Sequence, residues 1–166
     1  MFKKIALALM LAFPMLAGAQ TVKIGLVDTN TILTSLPDTK TAQDKLSALS
    51  KDFQDQDNKF MAALQKKMED YQALPETTPQ ATKDALAKEI QSDQQKILEF
   101  EQNAQTEMQR AQEREMAPVI AKVQDAIRAV GTEGNFTVIQ EIGAVLYYGA
   151  PAEDITSAVK AKLGLK

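Results

Sequence analysis

The chain has 166 residues, with 19 basic and 22 acidic side chains, a net charge of −3, and neither histidine nor cysteine. An acidic balance argues against a nucleic-acid partner, because binding to the phosphate backbone requires clustered lysine and arginine. Without histidine the usual general base is missing, and without histidine or cysteine the commonest zinc ligands are missing too. We therefore expect a protein that is not an enzyme and that has no metal site and no cofactor.

The N-terminus, residues 1–19, is typical of a secretory signal peptide. A positive start at Lys3-Lys4 precedes an apolar run over residues 5–16 and an Ala-x-Ala cleavage site at residues 17–19. The mature chain would begin at Gln20, and its net charge would change from −3 to −5. The alternative interpretation is an N-terminal membrane anchor, although the apolar run is short for a spanning helix. We expect export to the periplasm.

The first predicted elements of the mature chain are a strand and a short helix. Residues 22–28 alternate apolar and other side chains, which predicts a strand with one buried face. Asp28 is a suitable cap for a helix that ends at Pro37. The apolar residues of this short helix are Ile32, Leu33 and Leu36.

Residues 38–130 are predicted to form a long helical hairpin arm. Apolar residues recur every three or four positions on both sides of a break at residues 75–79. Asp38 is expected to cap the first helix, and Thr78 to cap the second with Pro79 at its first position. At about 1.5 Å per residue the first helix would span roughly 55 Å. An arm of this length projects from whatever body the chain ends form.

The apolar stripe follows an eleven-residue repeat better than a heptad. Such a repeat has about 3.67 residues per turn, which predicts a nearly straight or slightly right-handed helix pair. One column comprises Leu46, Asp57 and Met68, and another comprises Leu86, Ile97, Met108 and Val119. We expect most of the stripe to hold the two helices together. Leu46, Phe53, Ile97 and Met108 are therefore predicted to lie in the core between them.

Pro118 lies inside the second helix and is the candidate hinge of the arm. The apolar pattern continues beyond it to Gly131, so the proline is expected to bend the helix rather than end it. Long arms that pack only pairwise have few contacts per residue, and we expect them to splay near the body.

The C-terminal part of the chain changes period after Gly131. Residues 136–140 and 145–148 are rich in β-branched and aromatic side chains and predict a β-hairpin. Asp154 is expected to cap a last helix that ends at Gly164. The apolar positions of that helix are Ile155, Val159 and Leu163.

The predicted fold class is α+β and mostly α. A helical hairpin over residues 38–130 is inserted into a small β body that both chain ends form, residues 20–37 and 131–166. Three short strands are a poor core alone and leave exposed sheet edges. We therefore expect several chains to pool their strands into one oligomeric body from which the arms hang.

Apolar residues beside the stripe or near the hairpin tip are the candidate contacts for a client, by which we mean an extended polypeptide that the arm would bind. Methionine and tyrosine adapt to varied partners, and many weak contacts would hold an extended apolar chain while letting it slide. The candidates are Met61, Met68, Tyr71, Leu74 and Leu98. The alternative hypothesis is a periplasmic coiled-coil adaptor that docks one partner through the hairpin tip.

The order and spacing of these segments resemble the Skp/OmpH family of periplasmic chaperones for outer-membrane proteins. The resemblance covers the mature chain and rests on residues 24–30, 118–123, 145–148 and 154–156. It implies a homotrimer with a small β-barrel body and three helical arms around a cavity. Unfolded outer-membrane proteins would be held in that cavity without ATP.

The charge of the arm departs from that family pattern, whose best-known members are basic. The net charge is −1 over residues 38–74 and −3 over residues 80–117. A basic lipopolysaccharide-binding patch therefore does not carry over, and the adjacent pair Lys66-Lys67 is interpreted as a solvated helix face. Client selectivity and peripheral contact of the arms with a membrane stay open at this point.

Overall fold

A computed structural model describes residues 22–165 of the chain, so the predicted signal peptide lies outside the described residues. The elements, in chain order, are β1 (Ile24–Val27), α1 (Thr29–Ser35), α2 (Pro37–Gln72), α3 (Gln80–Glu133), β2 (Val138–Glu141), a 3₁₀ helix (Ile142–Ala144), β3 (Ala152–Asp154) and α4 (Thr156–Lys162).

The helical hairpin consists of α2, with 36 residues, and α3, with 54 residues. As predicted, α3 runs through Pro118 without ending there. The predicted cap at Asp38 is wrong, because α2 already begins at Pro37, with Leu36 at the N-cap. Proline suits the first helical position, since its fixed φ matches the helix and its missing N–H would have no partner there. Pro37 therefore opens α2, and α1 has already ended at Ser35.

The predicted start of the second helix is also wrong by one residue. Pro79, not Thr78, occupies the N-cap of α3, with φ −52° and ψ 137°, and no side chain caps the helix. An extended ψ at Pro79 places the first helical residue at Gln80. The Pro79 carbonyl accepts hydrogen bonds from the amides of Thr82 (3.0 Å) and Lys83 (3.3 Å), and so begins the helical ladder.

The two arm helices are held together by a narrow apolar seam. Phe100 packs edge-to-face on Phe53 and on Phe60, with ring centroids 6.0 and 5.1 Å apart. The seam's buried side chains are Ala42, Leu64, Ile97, Ala111 and Val119. Of the residues predicted as seam core, Ile97 is buried, whereas Leu46, Phe53 and Met108 are half-buried.

Both chain ends contribute to one three-stranded sheet with the order β2-β1-β3. The central strand pairs in parallel with both neighbours, and Ile24 lies opposite Val138 on one side and Ala152 on the other. The strand leads directly into α1 because Asp28 caps that helix, as predicted. Asp28 Oδ1 accepts from the Thr31 amide at 2.8 Å, and Asp28 Oδ2 accepts from the Thr31 hydroxyl at 2.5 Å.

The predicted β-hairpin over residues 136–148 is wrong. The first half is a strand, but residues 145–148 are irregular, and the third strand is β3 at Ala152–Asp154. Strands β2 and β3 both run parallel to β1 on its opposite sides, so a tight hairpin cannot join them. Residues 142–151 instead carry the chain back from the end of β2 to the start of β3.

The predicted N-cap of the last helix at Asp154 is wrong, because Asp154 is the last residue of β3. Ile155 occupies the N-cap of α4, which begins at Thr156. The carboxylate nevertheless accepts a hydrogen bond from the Thr156 amide at 2.9 Å. Gly164 follows the helix with φ 75°, in the left-handed region that favours glycine, as expected of a helix stop.

The sheet and the base of the arm share one apolar core. Strand β1, helices α1 and α4 and the last turns of α3 all contribute buried side chains to it. Its members include Val27, Ile32, Leu36, Val119, Val123, Ala126, Val130, Ile155 and Val159. Because α3 runs from this core into the arm, the arm is anchored in the body. The sheet of the single chain is open, with β2 and β3 at its edges.

Candidate functional site

Four of the five predicted client-contact residues are exposed on the arm. The exposed fractions are 52% for Leu98, 50% for Met61, 40% for Met68 and 37% for Tyr71. Leu74, at the hairpin tip, is half-buried. Apolar area therefore lies open to solvent on a helix pair whose own seam is already filled.

Met61 and Met68 line one shallow concavity on α2. They are three residues before and four residues after the buried Leu64, so all three lie close together on the helix. The polar part of this lining consists of Asn58, Gln65, Glu69 and Gln72. The concavity offers flexible thioethers beside neutral amides and one carboxylate.

A second apolar concavity lies on α3 near the base of the arm, and sequence reasoning missed it. Met116 and Ile120 line it together with Gln109 and Gln112. Ile120 follows the buried Val119, just as Leu98 follows the buried Ile97. Its position one residue after a buried residue of the stripe is the sequence signal that could have identified Ile120 as exposed.

Phe60 follows the three- and four-residue apolar spacing of α2, but nearly half of its surface is exposed. One face of the ring packs on Phe100, and the exposed part lines a notch with Ala63, Asp93 and Lys96. This notch differs from the two concavities because its lining includes a cation, Lys96, beside the carboxylate of Asp93.

Ion pairs cross between the two arm helices within the described arm. Lys67 Nζ lies 2.5 Å from Asp93 Oδ2 and 3.4 Å from Glu89 Oε2. Nearer the body, Lys45 Nζ lies 2.8 Å from Glu115 Oε2, and Lys122 Nζ lies 2.6 Å from Asp38 Oδ2. These pairs join α2 to α3 at three levels along the arm.

Two of the carboxylates in these pairs have perturbed pKa values. Hydrogen bonds from Lys67 and then Lys96 hold the pKa of Asp93 below its ordinary value. The bond from Lys45, together with Arg114, likewise lowers the pKa of Glu115. The hydrogen bond to Asp93 raises the pKa of Lys67. Lys67 therefore joins α2 to α3 through its ion pair, whereas its neighbour Lys66 is exposed.

Pro118, the candidate hinge, is exposed on the same side of the arm as two of the ion pairs. It lines a groove with Asp38 and Lys45 and with their partners Lys122 and Glu115. No other helix residue between 37 and 133 that the structure describes is a proline, apart from Pro37 at the start of α2.

The body carries a second exposed apolar segment, in the connection between β2 and β3. Leu146 is 106% exposed, Tyr147 is 86% exposed and Tyr148 is 45% exposed. Val138, on the edge strand β2, is also exposed. Adjacent large apolar side chains that are exposed together are a feature of interaction surfaces.

Over residues 22–165 no helix is both long and apolar enough to cross a membrane. The same described range holds no group of three or more acidic side chains arranged to hold a metal ion. The exposed groups of the arm include thioethers, aromatic rings, amides and carboxylates.

Comparison with known proteins gives consistent results. The family model of the outer membrane protein (OmpH-like) family matches residues 23–163. The chaperone protein Skp of Yersinia enterocolitica is 26% identical over 154 residues, which cover 93% of each chain. Skp of Pectobacterium atrosepticum is 26% identical over 141 residues, covering 82% of each chain. The crystal structure of an OmpH-like protein of Caulobacter crescentus has a TM-score of 0.75 at 18% identity, covering 86% of this chain and 83% of that one, and so shares the fold.

Proposed function

Because the chain belongs to the OmpH-like outer membrane protein family, we propose that it is a periplasmic holdase that binds unfolded outer-membrane proteins without ATP. The relatives named as chaperones support this class of activity. The residues that resemble a signal peptide, 1–19, support export to the periplasm.

The exposed apolar side chains of the arm carry the proposal. Met61 and Leu98 lie beside a seam that Leu64 and Ile97 already fill, so their free surface is available to another chain. Burial of apolar surface is worth roughly 25 cal/mol per Å², so each such contact is weak. Many weak contacts hold an unfolded chain collectively and release it one segment at a time, which requires no nucleotide.

The open sheet supports assembly of several copies into one holder. Strands β2 and β3 each leave an edge without a partner within the described chain. Leu146 and Tyr147 extend from the connection between those strands. We propose that three copies join through this side of their bodies and that their arms surround a cavity for the client.

The direct test is aggregation of a urea-denatured outer-membrane β-barrel protein on dilution, followed by light scattering. The mature chain should suppress scattering at one assembly per client, equally with and without added ATP. Native mass spectrometry of the same sample should show the assembly with one client bound. Undiminished scattering at several salt concentrations and pH values would exclude a holdase.

The tip of the hairpin also supports the adaptor hypothesis, because Met68 and Tyr71 are exposed there. The triple substitution Met68→Ser, Tyr71→Ser and Leu74→Ser separates the two hypotheses. A holdase should lose only part of its capacity, since other contacts remain along the arm. An adaptor should lose one specific partner completely in a pull-down from periplasmic extract.

A further inference from the structure

The two long sides of the arm can be distinguished by the positions of residues around each helix. An α-helix turns by about 100° per residue, and in an antiparallel pair residues turned in the same sense from the seam lie on the same side. Taking Leu64 and Ile97 as seam positions, Lys67 and Asp93 are turned by about −60° and −40°. They are bonded at 2.5 Å, so the assignment agrees with an observed contact.

The aromatic contact of the arm gives the same answer. Phe60 is turned by about −40° from Leu64, and Phe100 by about −60° from Ile97. Their ring centroids are 5.1 Å apart. Nearer the body, with the buried Ala42 and Val119 as seam positions, the pairs Lys45–Glu115 and Asp38–Lys122 are also turned in the negative sense. We call this side the ion-pair face.

The opposite side is turned in the positive sense and has a different composition. Met61, Met68 and Leu98 are turned by about 60°, 40° and 100° from their seam positions. Ala42 and Leu64 are 22 residues apart, as are Ile97 and Val119, so two eleven-residue repeats keep this side nearly continuous along the arm. We call it the glutamine–methionine face after its amide and apolar residues, although Glu101 is also turned to this side; the amide and apolar residues include Gln54, Met61, Gln65, Met68, Gln72, Gln94, Leu98, Gln105, Gln109, Gln112, Met116 and Ile120.

The glutamine–methionine face is neutral to acidic. Glu69 lies at the edge of the concavity of Met61, and Glu113 lines the concavity of Ile120. Among the described arm residues turned by up to about 100° to this side, Lys83 is the one cation. It lies near the tip, and its ammonium donates to the Glu76 carbonyl at 3.3 Å.

We propose that the glutamine–methionine face is the client-binding side of the arm, and that its occupant is an extended polypeptide segment with apolar and neutral or basic side chains. This inference rests on the proposed holdase function. Thioethers adapt their shape to varied apolar side chains. Glutamine amides both donate and accept, so they can bond to an unfolded backbone of any sequence.

The ion-pair face is less suited to this role. Its charged groups are largely paired with each other, and binding an apolar segment there would strip water from Lys67 and Asp93. Phe60 already uses part of its apolar surface on Phe100. The carboxylates of the glutamine–methionine face also argue against an anionic lipid surface as occupant, because like charges repel.

Site-specific photocrosslinking tests this assignment with a matched control. A benzophenone side chain is placed at Gln65 or Leu98 on the glutamine–methionine face, and at Ala63 or Lys96 on the ion-pair face. Each pair flanks the same seam residue, Leu64 or Ile97, and all four positions are exposed. The probe is a urea-denatured outer-membrane β-barrel protein diluted into the full mature assembly.

We expect crosslinks to the probe several-fold stronger from Gln65 and Leu98 than from Ala63 and Lys96, with little change between low and high NaCl. Equal yields from both faces, or stronger yields from Ala63 and Lys96, would overturn the inference. The holdase function would still stand in that case if the same assembly suppressed aggregation of the probe. Competition of phosphatidylglycerol vesicles for the Gln65 and Leu98 crosslinks would also overturn it, in favour of a lipid surface. Failure of the unsubstituted chain to suppress aggregation is the separate result that rejects the proposed function.

Discussion

At the scale of single residues, Ile32 connects the parts of the body. It lies in the short helix α1, is fully buried, and belongs to the same core cluster as Val27, Val123 and Val159. These neighbours come from the central strand, the base of the arm and the last helix. One side chain thus helps to fix the arm relative to the sheet.

Replacing Ile32 with Ala should lower the free energy of unfolding by about 2–5 kcal/mol, because it removes buried methyl groups and leaves a cavity. Urea unfolding of the mature chain, followed by circular dichroism at one fixed protein concentration, measures the loss. Leu33→Ala is the matched control, since its side chain is half-buried in the same helix. An equal loss in both variants would contradict a special role of position 32.

The pair of Lys67 and Asp93 makes the stability of the arm depend on pH. The pKa of Asp93 is lowered by its bond to Lys67, so its contribution is complete above the ordinary carboxyl range, about pH 4, and is lost as pH falls through the lowered value. The pKa of Lys67 is raised, so its contribution is complete at neutral pH and is lost only as strongly alkaline pH passes the raised value.

Asp93→Asn should therefore reduce the fall in Tm between neutral pH and about pH 3, where carboxylates become protonated. Thermal unfolding by circular dichroism at a series of pH values gives the two curves. Asp55→Asn, at an exposed position of the same arm, is the control and should leave the acid-side fall unchanged. A parallel shift of the whole Asp93→Asn curve would show that the bond does not produce the pH dependence.

At the scale of elements, the arm combines a tight seam with one interruption. Pro118 lies inside α3, in its last third, where its missing N–H leaves the Arg114 carbonyl without its usual helical donor. It is also the point where the arm meets the body, between the Lys45–Glu115 and Lys122–Asp38 pairs. We propose that bending of the arm is concentrated at this residue.

Pro118→Ala should stiffen the arm, because it restores one hydrogen bond of the helical ladder. Small-angle scattering of the assembly should then show a narrower distribution of dimensions, with less change when a denatured barrel protein binds. Asn103→Ala, at an exposed position of the same helix outside the glutamine–methionine face, serves as the control for substitution alone. Identical scattering curves of Pro118→Ala and the unsubstituted chain, with and without client, would place the flexibility elsewhere.

The helices were predictable from sequence because their periodicity is local. The spacing of apolar residues located α2 and α3 to within a few residues, and off-stripe positions such as Met61 and Leu98 are indeed exposed. Errors at helix starts came from proline, which took position N1 at Pro37 and the N-cap at Pro79. The exposure of Phe60 depends on how the two helices are rotated in contact, which spacing in one helix does not determine.

The sheet was less predictable because strand pairing is not local. Val138 and Ile139 were placed correctly in a strand, but the partner of that strand is β1, more than a hundred residues earlier in the chain. The β propensity of Tyr147 and Tyr148 then favoured an adjacent hairpin that does not form. Those side chains are exposed instead. Residue propensity alone therefore predicts a strand for an aromatic segment that the fold leaves exposed.

At the scale of the whole molecule, one chain has one arm and cannot surround a client. Arms joined in a single assembly raise the effective concentration of each weak contact, so several arms retain a chain that one arm would release. The function proposed here therefore depends on the body as much as on the arm. Leu146 and Tyr147 are the most exposed large apolar residues of the described body, and we propose that copies bury them against each other.

Leu146→Ser with Tyr147→Ser should dissociate the assembly, because it removes the apolar area that copies would bury against each other. Native mass spectrometry should show a lower mass, while circular dichroism retains the helix signal, since neither residue contributes to the arm seam. Suppression of client aggregation should fall at equal chain concentration. Tyr71→Ser, which removes an exposed aromatic side chain from the arm, is the control that should keep the native mass. An unchanged mass in the Leu146 and Tyr147 variant would move the contact between copies to the edges of β2 and β3, where backbone pairing depends little on side chains.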